Sequence, residues 1–127
     1  VAVGPDIAPT AFATIETDQA AHLDRLLKGH SVIVAWDGDV IVGFCSWCCD
    51  TDSHLGELDL NAVHPRWQRR GIAGAMDAQA LDEMRAAGMK AVTVGTGADT
   101  AHAPARRAYA KAGFLARIPN VHLYRSL

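Results

Sequence analysis

The stretch from Gly56 to Thr96 constrains the fold more than any other part of the chain. GELDLNAV (56 to 63) sets apolar Leu58, Leu60 and Ala62 against polar Glu57, Asp59 and Asn61 before Pro65 closes it, the period of a strand with carboxylates on one face. From about Arg70 to Ala87, Ala73, Met76, Ala80, Leu81 and Met84 recur at helical spacing as far as Gly88, and KAVTVGT (90 to 96) follows as another β-branched run. Two strands joined through a helix of this length are expected to be parallel neighbours, because parallel pairing needs a crossover and forbids a tight turn.

The flanking sequence adds antiparallel structure. SVIVAW (31 to 36) and VIVGFCSWCC (40 to 49) enclose Asp37-Gly38-Asp39, a hairpin signal. Upstream, residues 1 to 13 hold Gly4, Pro5 and Pro9 without a period and read as an irregular arm. Thr17 can cap a short helix with an Ala20, Leu23, Leu26, Leu27 stripe that ends at Lys28-Gly29. Downstream, Pro104 suits the first turn of a helix lined by Ala105, Ala108, Tyr109 and Ala112 and stopped by Gly113. FLARI and VHLYRSL, on either side of Pro119-Asn120, read as a closing hairpin.

The resulting expectation is an α/β chain of the α+β type, with a mixed, mostly antiparallel sheet flanked by helices. At 127 residues it has room for one domain. A net charge of -2 with a fifth of the residues charged gives no global excess that would attract nucleic acid. The longest apolar run, Val40 to Cys49, is too short to span a bilayer, and no secretory leader is visible, so the expectation is a cytoplasmic protein. Cys45, Cys48 and Cys49 are odd in number and clustered, which suits a reducing compartment. Strand alternation puts Cys48 on the face opposite Cys45 and Cys49, so the three thiolates cannot converge on zinc and no metal is expected.

The turn between the third strand and the long helix carries the functional signal. Arg66, Arg69 and Arg70 crowd a helix start that already bears partial positive charge, which calls for an anion there. Gly71, Ala73 and Gly74 remove side-chain bulk so that backbone N–H groups can approach phosphate oxygens. Other phosphate signatures fail: there is no G-x-x-x-x-G-K-[ST], and Gly95-Thr-Gly97-Ala-Asp-Thr100 breaks the dinucleotide pattern at its third glycine.

V-x-P-x-x-Q-R-R-G-I-A, Val63 through Ala73, resembles the Q/R-x-x-G-x-G/A signature of the GNAT superfamily of N-acetyltransferases. ARRAYAKAGF, Ala105 to Phe114, is similar to the family's second motif, A-x-x-x-Y-x-x-x-G-F. The resemblance covers roughly residues 31 to 127 and implies one GNAT-like domain over 1–127, whose parallel strands, about 56–63 and 90–96, splay around an acetyl-CoA site. The family's usual opening strand and helix find little room before Ser31, so that portion is either missing from this chain or replaced by the arm 1 to 13.

By the same resemblance, the backbone at Ala62 and Val63 holds the pantetheine arm, and Gln68, Arg69, Arg70, Gly71, Ile72, Ala73 and Gly74 hold the pyrophosphate. Tyr109 lies near the sulfur and protonates the thiolate. His102 stands where relatives often place an asparagine, and can contact the cofactor. Glu57, counted back from Gln68, falls on the strand position of the base in histone-type members. Asp59, on the same face, is left open between base, attractor of a cationic acceptor and like-charged neighbour of Glu57. Trp47 is a candidate wall of the acceptor pocket, while His54 and His64 have no assigned role.

The implied activity is acetyl transfer from acetyl-CoA to a primary amine of a small molecule or peptide, by direct attack in a ternary complex. Asp50, Asp52, Glu57 and Asp59 point to a cationic acceptor. No nucleic-acid or membrane partner is expected, and the sequence leaves monomer and homodimer open. Two other classes stay open at this stage: a non-catalytic acyl-CoA-binding or regulatory module, and an anion-binding interaction domain.

Overall fold

A computed structural model describes Asp24, residues 28–123 and Arg125. The irregular arm and most of the helix expected from Thr17 lie outside the described residues. The chain divides into two compact units, Gly29–Leu115 and a second formed by Val1–Lys28 with Ala116–Leu127. In the second unit, Asp24 and Lys28 are helical and form an i, i+4 ion pair.

The unit Gly29–Leu115 is built on a four-stranded sheet in the order β1-β2-β3-β4. Its strands are β1 (Ser31–Asp37), β2 (Val40–Asp50), β3 (Leu55–Val63) and β4 (Ala91–Val94), with helices α1 (Ile72–Ala86) and α2 (Ala103–Lys111). β1 and β2 pair antiparallel around a two-residue link, where Gly38 takes the left-handed φ of +57° that such a turn demands. β2 and β3 are also antiparallel, while β3 and β4 are parallel through α1, as a crossover requires. The mixed, mostly antiparallel sheet with one parallel pair is therefore the architecture that the sequence pattern implies.

α1 forms because its apolar residues return to one face. Met76, Ala80 and Met84 are buried against Cys45, Trp47, Leu58 and Met89, with Ile33, Val63, Leu81 and Val92 packed around them. The helix ends in a Schellman motif: Gly88 sits at φ +87°, its N–H bonds the Arg85 carbonyl, and Met89 N–H bonds that of Met84. His54, at φ +56°, receives the Lys90 N–H on its carbonyl, which ties the loop before β3 to the start of β4.

Two expectations need correction. The alternation along β3 is not continuous: Leu58 pairs with Trp47 but Asn61 pairs with Cys45, so three residues of β3 span what two of β2 cover. This bulge turns Asn61 to the α1 face with Leu58, away from the face of Glu57. The closing hairpin is absent from the described residues, since 114–123 contains no strand and Leu115, Ile118, Val121 and Leu123 are exposed. FLARI and VHL have strand composition, but a strand exists only where a ladder partner completes its hydrogen bonds. No described helix is long and apolar enough to cross a membrane.

Gly43 tests how tightly β2 and β3 approach. A Cβ built there would meet the Ala62 carbonyl oxygen at 2.9 Å, a backbone atom that cannot rotate away. Gly43→Ala is expected to destabilise the fold by about 1–3 kcal/mol, read as a lower midpoint in denaturant unfolding; an unchanged midpoint would show that the strands have slack here.

Candidate active site

The site is built where β3 leaves β4. Parallel pairing starts at Leu55↔Ala91 and stops at Leu58↔Val94, although β3 continues to Val63. β4 itself ends there, so the edge of β3 at Leu60–Val63 has no β4 ladder. The bulge lies at the same level. There Ser46, itself buried, accepts the Leu60 N–H on its Oγ at 3.1 Å.

From Val63 the chain passes through a 3-10 turn, Pro65–Trp67, into the arginine-rich loop. His64 caps this turn by accepting the Arg66 N–H on Nδ1 at 3.2 Å, a role the sequence reading did not give it. Gln68 donates from Nε2 to the Val63 carbonyl at 2.9 Å and so fastens the loop back onto the strand. Arg69 and Gly71 both adopt left-handed backbone, φ +61° and +82°. Gly71 is the N-cap of α1, and its carbonyl receives the first helical bond from Ala75 at 3.0 Å. The N–H groups of Ile72, Ala73 and Gly74 therefore precede the first intrahelical donor and project from the helix start.

These residues enclose a concavity of about 160 Å³ lined by Val63, Trp67, Gln68, Arg69, Gly71, Ile72, Ala73 and Gly74. Every lining residue except Trp67 was singled out from sequence. Arg70 is exposed beside the concavity, and Ala62 is exposed on the strand leading into it. Trp67 was overlooked although it stands inside the same stretch; its indole N–H donates to Asp37 Oδ2 at 2.8 Å and its ring meets His64 edge-on at 4.9 Å. A Cβ at Gly71 or Gly74 would enter open space, so packing does not demand either glycine and the room beside them belongs to the concavity.

The second group of residues lies on α2 and the loop before it. Asp99 accepts the His102 backbone N–H and contacts His102 Nδ1 at 2.8 Å, while Arg106 donates to the Gly97 and Asp99 carbonyls. Tyr109 is half-buried, edge-on to Phe114 at 5.8 Å. Burial, and then the charges of Asp77 and Cys45, push its phenol above the ordinary value.

Glu57 is exposed and pairs in register with Cys48, whose thiol is pushed up by burial and by Glu57 and Asp59. Asp59 is only partly exposed, with His30 Nε2 3.5 Å from its Oδ2. His30 is a neighbour that its sequence context did not flag, because it lies far from Asp59 along the chain and only the fold brings it close. Asp50 is committed to its own turn, accepting from Asp52 N, Ser53 N and Ser53 Oγ, which hold its carboxyl below the usual range. Trp47 is 3% exposed within the core beneath α1. It does not share the face of Glu57 and Cys48, which corrects its assignment to an acceptor pocket.

The cysteines differ in burial, including Cys45 and Cys49, which alternation puts on one face. Cys45 is buried and donates to Asp77 Oδ1, Cys48 is half-buried and Cys49 exposed. Among the described residues no group of three His, Cys, Asp or Glu side chains is placed to hold a metal. Burial, followed by the Asp77 charge and hydrogen bond, pushes the Cys45 thiol up to about 12. At about pH 8 only roughly one part in ten thousand of it is thiolate. Maleimide labelling of the native protein is therefore expected to mark Cys49 and leave Cys45 unmodified until denaturant is added; rapid labelling of Cys45 in the native state would contradict this burial.

Comparison with known proteins places this geometry. The profile of the Acetyltransferase (GNAT) family matches residues 6–114. The mycothiol acetyltransferase of Corynebacterium glutamicum (strain R) is 33% identical over 87 residues, covering 68% of this chain but 29% of that protein. Among solved structures, a protein from Desulfovibrio desulfuricans assigned to the GNAT family aligns with TM-score 0.73 and 27% identity over 88% of this chain and 75% of that one. An aminoglycoside acetyltransferase from a soil metagenomic sample, meta-AAC0020, solved with sisomicin, aligns with TM-score 0.65 and 26% identity over 84% of this chain and 73% of that one. With the strand–turn–helix concavity and the matching sheet in place, the chain belongs to the GNAT family of acetyltransferases.

Proposed function

We propose that the chain is a single GNAT domain that uses acetyl-CoA to acetylate a primary amine of a small molecule or peptide. The observation that carries this reading is the concavity at the start of α1, where projecting N–H groups, two left-handed residues and an arginine cluster converge beside the open edge of β3. Such a surface fits a pyrophosphate: the N–H groups and helix dipole satisfy its oxygens, and Arg69 and Arg70 offset its charge. Ala62 and Val63 present the strand edge to the pantetheine arm. Because Gln68 already occupies the Val63 carbonyl, its part is to hold strand and loop together.

Bound acetyl-CoA supplies an acetyl group activated as a thioester. Glu57 is the preferred base, since it is exposed while Asp59 is engaged by His30; it removes the proton that an alkyl ammonium of pKa about 10 retains at neutral pH. Tyr109 keeps its hydroxyl proton through burial and neighbouring negative charge, as a donor to a leaving thiolate must. Asp99 Oδ2 lies 2.8 Å from His102 Nδ1, so Nε2 is the ring nitrogen left for a polar group of the cofactor. The names of the relatives, a mycothiol acetyltransferase and an aminoglycoside acetyltransferase solved with sisomicin, support an amine-bearing small molecule as acceptor.

Calorimetry with acetyl-CoA, using ATP as a polyanion control, tests the cofactor. Gly74→Glu is the appropriate variant, because Gly74 lies inside α1 with open space around its Cβ position, whereas any side chain at Gly71 is strained by its positive φ. The expected result is preference for acetyl-CoA, lost by at least about tenfold in Gly74→Glu with stability changed by under about 1 kcal/mol. Equal binding of ATP, or retained affinity in the variant, would overturn the assignment.

The base is tested by turnover. Glu57→Gln should depress kcat most near neutral pH and progressively less as the pH approaches the acceptor's own pKa, where the amine needs no base. An unchanged pH–rate profile would remove Glu57 from the mechanism.

A further inference from the structure

One buried charge has no part in the reading above. Asp77, on the inner face of α1, is 2% exposed, and its carboxylate has no cation partner among the described residues. It accepts a hydrogen bond from Asn61 Nδ2 at 2.5 Å and a weak one from the Cys45 thiol at 3.8 Å. The surrounding helix face, Met76, Ala80 and Met84, is apolar, and a leucine would fill the position at no desolvation cost. Burial accordingly raises its pKa, against the pull of Asn61 and Cys45.

The partners explain where this carboxylate acts. Asn61 and Cys45 are register partners immediately beyond the bulge, and Asn61 reaches the α1 face only because the bulge shifts it there. The same few residues of β3 run past the last β4 pair, Leu58↔Val94, into the open edge. This segment is thus gripped from two sides: Ser46 Oγ holds Leu60 N–H from β2, and Asp77 holds the Asn61 side chain from the helix.

We propose that Asp77 is a positioning residue for acyl transfer, which through Asn61 pins the bulged segment of β3 so that its open edge presents a fixed backbone to the thioester. The inference rests on the acyl-transfer reading above. A backbone that receives a thioester has to be held within a fraction of an ångström, and this segment of β3 has ladder partners on its β2 side only. Tyr109 on α2 also experiences the Asp77 charge.

The test uses Asp77→Leu, which fills the volume without a hydrogen bond, and Asp77→Asn, which keeps an acceptor for Asn61. Asp77→Leu should lower kcat roughly tenfold or more with KM for acetyl-CoA nearly unchanged, and Asp77→Asn should recover most of the loss. Full kcat in Asp77→Leu, or equal impairment of both variants, overturns the proposal. Should Asp77→Leu fail to fold, Asn61→Leu cuts the same bond from the strand side and carries the same expectations against an Asn61→Gln control.

Amide exchange gives a readout independent of turnover. Protection at Leu60 to Ala62 should fall by about tenfold or more in Asp77→Leu while Gly56 to Leu58 stay protected; unchanged protection at Leu60 to Ala62 overturns the pinning even if the wild type proves to be an acetyltransferase. If the exchange result holds and the wild type neither binds acetyl-CoA nor acetylates any amine, it is the functional reading that has failed.

Discussion

The early end of β4, after a four-residue ladder with the longer β3, is the constraint on which the rest of the molecule depends. Parallel pairing holds Leu55–Leu58 against Ala91–Val94 and goes no further, while β2 carries β3 on to Val63 from its other side. Had the ladder continued, the edge of β3 at Leu60–Val63 would be consumed by strand hydrogen bonds. Because it stops, a stretch of backbone becomes available to a ligand, and the chain leaving it runs directly into the start of α1. The sheet on one side and the helix N-terminus on the other are thereby brought to the same opening.

Holding a strand open costs stability, and several contacts offset that cost. The inner face is filled by Trp47 and Leu58 from the sheet and by Met76, Ala80 and Met84 from α1, a methionine-rich lining whose flexible side chains can fit the irregular surface a bulge creates. Gln68 fastens the loop to the end of β3, Trp67 anchors it to the β1–β2 hairpin through Asp37, and the His54 carbonyl fixes the far end of the crossover. The result is a strained loop, with Arg69 and Gly71 in left-handed backbone, carried by rigid neighbours. Ser46 and Asp77, both polar and buried, bond to β3 at the bulge, where hydrogen bonding as well as packing sets the backbone path.

Most of the architecture was legible because it rests on periodicity. The helical spacing of Met76, Ala80 and Met84, the hairpin signal at Gly38 and the stops at Gly88 and Gly113 all correspond to observed elements. The concavity was legible for a related reason, since its lining comes from consecutive residues of one strand–turn–helix unit. What escaped the sequence came from contacts distant along the chain. Continuous alternation along β3 failed at a bulge that only the pairing with β2 reveals, and Trp47 proved to be core. His30 met Asp59, and Asp77 met Asn61, across separations that no local pattern encodes.

By itself, then, the sequence determined the order of the elements from β1 to α2, the parallel crossover and the glycine-rich turn into α1, because each depends on local backbone preference and the spacing of apolar residues. Only the tertiary structure decided where the β3–β4 ladder ends, which way Asn61 turns, and that a charge on α1 lies beneath the open strand. Those outcomes depend on competition between alternative pairings of distant segments, and that competition is settled only once the sheet and α1 pack together.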